Sequence, residues 1–424
     1  MGDSNMDMDI DQVDQTIEEG VSVGWLQSKE DLHVEAVRLR EAGRYQEALV
    51  AFLKYRDALG KEGNDEETVE TADIYSELGQ TYSRQGKYPE AEEYYAMEKN
   101  LRVKLLSASD ISFGRLYNNI GDLHTKMARY PEALEVLEKA FEINKAVESE
   151  GVDVANTYHF MGNVHYRQGK YGEALQEYGK ALAIHKSRVG EDHEDVALSY
   201  NGIGNVYYSQ GKYDEALQEY GKALAIRVSR LGEDHVDVAE SYNNIGVVYR
   251  NQIKYHEALQ EYEKALVIQK SRLGEDHVHI AGSYNNIGAV YHLQFKYDEA
   301  LQEYGKALAI HKSRVGEDHV DVAGSYNNIG FVYSNQGKYD KALQEYGKAL
   351  AIRVSRLGED HVDVAGSYNN IGVVYRNQGK YDEALQEYEK ALVIQRSRLG
   401  EDHPDTQMTK RNIQRCKIAM RRND

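Results

Sequence analysis

Six copies of Glu-Asp-His carry the residues best suited to chemistry, with imidazoles at His193, His235, His277, His319, His361 and His403. A carboxylate beside an imidazole can bind zinc or move a proton. Zinc, however, needs several ligands converging on one point. These copies stand at a fixed interval, so they read as one structural turn used repeatedly. A second candidate is Gly162-Asn-Val-His-Tyr-Arg-Gln-Gly169-Lys170, which has the glycines and lysine of a phosphate-cradling loop. It has six residues between the glycines instead of four, and Tyr171 follows the lysine where Ser or Thr belongs. No Ser-His-Asp or Cys-His grouping stands apart from the repeating pattern. The lone cysteine, Cys416, excludes a disulfide framework and a cysteine-built metal centre, and fits an intracellular, cytoplasmic setting. Neither catalysis nor a cofactor or metal is expected.

The elements behind these motifs form an internal repeat. Ser-Tyr-Asn-Asn-Ile-Gly starts at Ser241, Ser283, Ser325 and Ser367, each 42 residues after the last, and a variant starts at Ser199. Weaker copies centre on Tyr158, Tyr117 and Tyr75. A Lys/Arg-Tyr marker ending at Tyr45, Tyr88, Tyr130, Tyr171, Tyr213, Tyr255, Tyr297, Tyr339 and Tyr381 gives nine repeats over residues 29–405. Reuse of tyrosine at fixed positions explains 34 Tyr against six Phe and one Trp. A longer period of 126 residues relates Ile184-His-Lys, Ile226-Arg-Val and Ile268-Gln-Lys to the segments from Ile310, Ile352 and Ile394, which marks duplication of a three-repeat block.

Within a repeat the period is helical. Tyr242, Ile245, Gly246 and Tyr249 fall on one face of a first helix. Tyr255, Ala258, Leu259, Tyr262, Ala265 and Leu266 fall on one face of a second. Gly211, Gly337 and Gly379 end first helices, Gly274 ends a second, and Asp276 is the expected N-cap of the next. Gly246 and Ala258 let the pair approach closely. Gly179, Gly221, Gly305 and Gly347, inside second helices, have no evident role.

The spacing Tyr242-x-x-Ile245-Gly246-x-x-Tyr249 followed by Ala258-x-x-x-Tyr262 resembles the tetratricopeptide signature, with Tyr in place of its Trp and Phe. The 42-residue length, with Leu-Gly-x-Asp-His and Tyr-Asn-Asn, resembles the repeats of kinesin light chains. Glu98 departs from the expected Ala in the second repeat, and Ala36 from the expected Gly in the first. The resemblance implies an all-α, right-handed superhelical solenoid of helix-turn-helix repeats. It also implies a concave groove that holds peptide segments. Kinesin light chains bind their motor heavy chain through a long heptad segment, for which about 28 residues before the array are too few, so the motor is not an expected partner.

The side of the first helix turned from the core would line that groove. Asn201, Asn243, Asn285, Asn327 and Asn369 form a row suited to a partner's backbone amides. Val247, Phe331 and Val373 vary between near-copies, as does the position of Arg250 and Arg376. Arg84, Arg115, Asn118, Lys126 and Arg167 give the N-terminal half a basic lining. The expected partner is a protein or peptide segment, acidic at one end with apolar anchors further along, held by a non-catalytic adaptor or scaffold. The alternative is an array that assembles with itself. A net charge of -19 argues against nucleic acid, and the longest clear apolar run, Ala48 to Leu53, is far short of the roughly 20 residues of a membrane span. Residues 406–424 read as a basic capping helix. Residues 1–28 read as an acidic, disordered tail; a sharper reading has residues 3–26 occupy the groove as an autoinhibitor anchored by Trp25.

Overall fold

The computed structural model describes residues 28–61 and 67–423. Within them the helical period produces pairs of helices, with no strand. The pairs are α1 (Lys29–Glu41) and α2 (Tyr45–Lys61), α3 (Val69–Arg84) and α4 (Tyr88–Leu105), α5 (Ile111–Lys126) and α6 (Tyr130–Val147), α7 (Val152–Arg167) and α8 (Tyr171–Val189), and α9 (Glu194–Ser209) and α10 (Tyr213–Leu231). They continue as α11 (Val236–Asn251) and α12 (Tyr255–Leu273), α13 (Val278–Leu293) and α14 (Tyr297–Val315), α15 (Val320–Asn335) and α16 (Tyr339–Leu357), and α17 (Val362–Asn377) and α18 (Tyr381–Arg398). A last helix, α19, spans Pro404–Asn423. The chain forms two compact units, one ending at Ser107 and one beginning at Ala108. The first holds two helix pairs and the second holds the rest.

Packing within a pair is set by a tyrosine lying on a glycine. Tyr262 is fully buried, and its ring covers Gly246 so closely that a Cβ there would come within 2.6 Å of Tyr262 Cε1. The same contact joins Gly162 to Tyr178, Gly204 to Tyr220, Gly288 to Tyr304, Gly330 to Tyr346 and Gly372 to Tyr388. In the first unit Tyr95 covers Gly79. Ala258 and Ala265 of the second helix are fully buried beside the ring. The tyrosines of the first helix are placed differently. Tyr242 is only half-buried, with the Lys264 ammonium 5.2 Å from its ring centre. Tyr158, Tyr200, Tyr284, Tyr326 and Tyr368 lie under lysines in the same way. Each such contact is worth about 0.5–1 kcal/mol at an exposed site.

The turns explain the Glu-Asp-His motif. The expected N-cap, Asp276, is not the cap: His277 is, its Nδ1 accepting from the His279 N–H at 3.2 Å. His193, His235, His319, His361 and His403 accept likewise from the N–H two residues on. The helix starts one residue later than the sequence suggested, which frees Asp276 to pair with Arg314. Asp234, Asp318 and Asp360 pair in the same way with Arg272, Arg356 and Arg398. Between the helices of a pair, one residue takes a positive φ that suits glycine, as at Gly211, Gly337 and Gly379. Ala128, Ile253 and Phe295 hold that place in three repeats, with φ of 55°, 64° and 61°. A side chain there costs roughly 1–2 kcal/mol.

The two departures from the repeat pattern are absorbed differently. Ala36 is fully buried in α1. Glu98 is buried in α4 beside Arg102, 2.8 Å away, and burial pushes its carboxyl up to about 7.

The second unit closes on itself. His361 Nε2 donates to the Lys126 carbonyl at 3.0 Å across 235 residues. Val362 and Leu399 pack against buried Ala128 and Tyr130. One repeat on, His403 and Pro404 lie against Gly169. At the C-terminal end, α19 covers α18 through Cys416, which is fully buried against Ala384 and Tyr388, with Ile413 beside them.

The helical glycines separate into two kinds. Gly246 has no room for a side chain, whereas nothing lies within 4 Å of a Cβ at Gly179, Gly221, Gly305 or Gly347. Gly246→Ala is expected to destabilise the second unit by about 1–3 kcal/mol through overpacking, despite its better helix propensity. Gly305→Ala is expected to stabilise by about 0.5–1 kcal/mol. Urea denaturation of the two variants checks both signs.

Candidate functional site

Each boundary between repeats in the second unit is bridged by a buried polar pair. A residue late in the second helix reaches a hydroxyl on the next first helix: Asn144 with Thr157, His185 with Ser199, Arg227 with Ser241, Gln269 with Ser283, His311 with Ser325, Arg353 with Ser367 and Gln395 with Thr409. The separations run from 2.7 to 3.1 Å. The His, Arg, Gln order of these residues is the 126-residue period seen in the sequence. Its variation therefore lies at buried seams. Arg227 is 1% exposed and also pairs with Glu194 and Glu240.

The Asn row expected to meet a partner's backbone is engaged at these seams. Asn243 exchanges hydrogen bonds with Ser283 at 3.0 and 3.2 Å. Asn369 donates to Thr409 at 2.5 Å and is 5% exposed. Asn285 and Asn327 accept from Asn328 and Asn370 of the following repeats. The Asn201 amide oxygen, in the orientation that satisfies its surroundings, accepts from Arg227. The sequence missed this because periodicity gives the face of a helix but not how closely the next repeat covers it.

The basic residues are also partly matched. Arg115 approaches Asp153 at 3.5 Å and Lys126 pairs with Asp122 at 2.7 Å. Arg167 is exposed, and Asn118 is buried. Arg84, at the end of α3, is exposed and belongs to the first unit. Residues 1–27, with Trp25, lie outside the described residues.

Open side chains run along the later first helices. Phe331 is 49% exposed, with its ring 4.7 Å from that of His292. Val247, Ala289 and Val373 hold the same helical position in neighbouring repeats and are half-buried. In the two preceding repeats that position is Asn163 and Asn205, which accept from the hydroxyls of Tyr178 and Tyr220 at 2.6 Å each. Where valine replaces asparagine, the Tyr262 and Tyr388 hydroxyls are buried with no partner among the described residues. Burial raises both hydroxyls, that of Tyr388 to about 12. An unpaired buried hydroxyl costs about 1–3 kcal/mol. Beside this line stand Arg250 and Arg376, both half-buried. Tyr166, Tyr208 and His292, at the same position in other repeats, bond to Ser209, Asn251 and Asn335 of the next. In the repeat after Arg250 the equivalent residue is Leu293, which offers no such partner, and no ion pair with a described group is formed by Arg250.

Among the described residues, no group of three or more His, Cys, Asp or Glu side chains is arranged to hold a metal ion. No described helix is long and apolar enough to cross a membrane.

Models of the tetratricopeptide repeat match residues 71–97 and, in overlapping segments, residues 112–422. The chain belongs to the tetratricopeptide repeat family. Similar solved structures include BtubC (BKLC) from P. vanneervenii, at 23% identity and TM-score 0.42, covering 56% of this chain and 92% of that one. A Podosopora anserina protein assigned as a kinesin light chain, with nearly identical TPR-like repeats, matches at 19% identity and TM-score 0.39, covering 49% and 98%. A Rap protein complexed with competence and sporulation factor matches at 16% identity and TM-score 0.52, covering 84% and 100%. At these identities the likeness concerns the fold. No curated protein gave a match.

The seam histidines make stability depend on pH. Burial lowers His185 and His311, and presses His159 down to about 4. The native state thus binds fewer protons than the unfolded chain below the ordinary histidine range. Stability is full above about pH 6.5 and declines as pH falls through it. Replacing His185 and His311 by Gln, the residue that fills the same seam at Gln269 and Gln395, is expected to flatten the melting temperature between pH 7.5 and 5.5. Equal slopes for the wild type and the double variant would contradict this account.

Proposed function

We propose that this tetratricopeptide repeat protein is a non-catalytic adaptor or scaffold. It holds a partner's peptide segment along the first helices of its later repeats. The observation that carries this reading is the line Val247, Ala289, Phe331 and Val373. At Val247 and Val373 it keeps apolar side chains where asparagine would satisfy the buried hydroxyls of Tyr262 and Tyr388. A rule of local consistency broken at the same place in two repeats is a mark of function. Phe331 is the anchor, since exposed aromatic side chains contribute most at such surfaces. Arg250 and Arg376 flank it and favour carboxylates on the partner. The ligand is therefore an apolar segment with acidic residues about it.

The earlier repeats contribute less charge than their sequence implies, because Arg115 and Lys126 have carboxylates beside them. Arg167 is exposed in that stretch and adds positive charge there. The Asn row acts by holding the seams in register under the ligand. Helix α19 serves as the polar end of the stack. The setting is the cytoplasm, where the buried Cys416 stays a thiol.

Peptides selected by phage display on the full chain are expected to carry paired acidic and large apolar residues. Phe331→Ala should weaken the selected peptides about tenfold, or roughly 1.4 kcal/mol. Arg250→Glu with Arg376→Glu should weaken them and reduce salt dependence. Val247→Asn with Val373→Asn is expected to raise stability by about 1 kcal/mol while lowering affinity, because each asparagine supplies the acceptor the tyrosine lacks. Binding indifferent to all three variants would place the ligand elsewhere or remove it.

A further inference from the structure

The sixth and ninth repeats are near-copies. Residues 236–273 and 362–399 differ only at Glu240 against Gly366, Ile253 against Gly379, His256 against Asp382 and Lys270 against Arg396. One of these differences puts a large apolar side chain where the backbone takes a positive φ. Ile253 has φ 64° and is 72% exposed. The seventh repeat does the same with Phe295, at φ 61° and 78% exposed. Neither side chain packs in the core, and glycine adopts this backbone without strain. The third such residue among those described, Ala128, is 3% exposed and lies in a cluster against which Val362 and Leu399 pack. There the strained turn is a covered one.

A run of rings joins this turn edge to the line along the first helices. Between ring centres, Phe331 lies 4.7 Å from His292, His292 5.7 Å from Tyr297, and Tyr297 6.2 Å from Phe295. Both ends of the run are open, while His292 is buried and Tyr297 half-buried. Leu293, 42% exposed, holds the position that Asn251 and Asn335 hold in the repeats on either side. Across the 126-residue duplication, the places of Leu293, Phe295 and Phe331 are taken by Arg167, Gly169 and Asn205. The apolar replacements therefore gather in the sixth to eighth repeats, on neighbouring turns and helix ends. Contiguous apolar surface of this kind marks an interaction site, and strain kept at an open position points the same way.

We propose that the partner segment held along the first helices leaves the groove over this edge, with large apolar residues on Ile253, Leu293 and Phe295 and a carboxylate at Arg250. This rests on the proposed groove and extends it. The occupant is that same segment because the rings continue without a break from Phe331 to Phe295. Arg250, which forms no ion pair with a described group, supplies the charge that an acidic residue of the segment meets. The edge also answers a problem that near-identical repeats create. Val373 and Arg376 repeat Val247 and Arg250, so the groove alone offers one segment two equivalent registers, three repeats apart. Gly379 gives the second of these no apolar exit, and Ile253 with Phe295 gives the first one. The turn edge thus selects the register through a difference between the two sites.

The test measures the phage-selected peptides on the full chain by fluorescence anisotropy. Ile253→Gly with Phe295→Gly places the residue found at Gly211, Gly337 and Gly379, so the turns are kept. This variant should bind the peptides about tenfold more weakly than wild type. Alanine is also placed at each large apolar residue of a peptide in turn. At one or two of those residues the change should cost the wild type about tenfold and the glycine variant nothing, which locates them on the edge. A glycine variant that binds like wild type, while Phe331→Ala still weakens binding, overturns the exit and leaves the groove standing. Indifference to Phe331→Ala as well overturns both. Alanine changes that cost the two proteins equally at every position place the apolar residues elsewhere and overturn the exit. Sedimentation of the protein alone supplies the last outcome: a wild type whose mass grows with concentration, beside a glycine variant whose mass does not, assigns the edge to a second copy and overturns the proposal.

Discussion

The contact on which the architecture depends is the tyrosine ring laid on a glycine backbone. In repeats of near-equal sequence, Tyr262 against Gly246 and its counterparts hold the two helices at one separation. The glycine removes the Cβ that would keep the ring away, and the buried alanines on either side leave the ring as the main filler of the interface. Once the pair is fixed, the position of every other side chain follows. The lysine lies over the first tyrosine, the seam residue points into the next repeat, and the outer position of the first helix turns to solvent. Because the same geometry recurs, small departures become visible. Valine for asparagine orphans a hydroxyl, and phenylalanine for glycine projects a ring from a turn.

The seams between repeats follow a different logic. Each holds one polar side chain from the preceding helix, bonded to a hydroxyl on the following one. The residue cycles through His, Arg and Gln, three groups of unequal size, charge and donor count. A His-sized seam does not accept the guanidinium of Arg227 with its two carboxylates. Near-identical repeats are thereby made distinct at the one surface where they meet. Polar groups at buried contacts are a known means of fixing register, and a slip by one repeat here would misplace every such pair.

Much of this was legible in the sequence. The repeat length, the helix faces, the glycine that receives a tyrosine and the reading of Glu-Asp-His as one recurring turn all follow from spacing, because they are local. What spacing did not give was anything decided between repeats. The N-cap was assigned to Asp276 because carboxylates commonly cap helices, yet Arg314 from the next repeat takes that aspartate and His277 caps instead. The Asn row looked free because a helical wheel has no neighbour in it. Spacing puts Phe331 on the outer side of its helix, but that Val247 and Val373 withhold an acceptor from the buried Tyr262 and Tyr388 hydroxyls needed the rings to be placed. The contact of His361 with Lys126 could not be foreseen, since it depends on the accumulated rotation of several repeats.

That contact changes how the second unit comes apart. A stack with only nearest-neighbour contacts behaves as a one-dimensional chain. Its terminal members fray first, and the loss spreads inward step by step. Tying the turn after α5 to the start of α17 and the end of α18 makes the chain of couplings a closed one. The last repeats then have two neighbours rather than one, and opening at the C-terminal side must break the closure as well as a seam. Loop closure over so many residues is slow to form but adds little entropy cost with each further repeat. The closed circuit therefore converts a fraying array into a unit that melts with greater cooperativity, with early and late repeats sharing one transition.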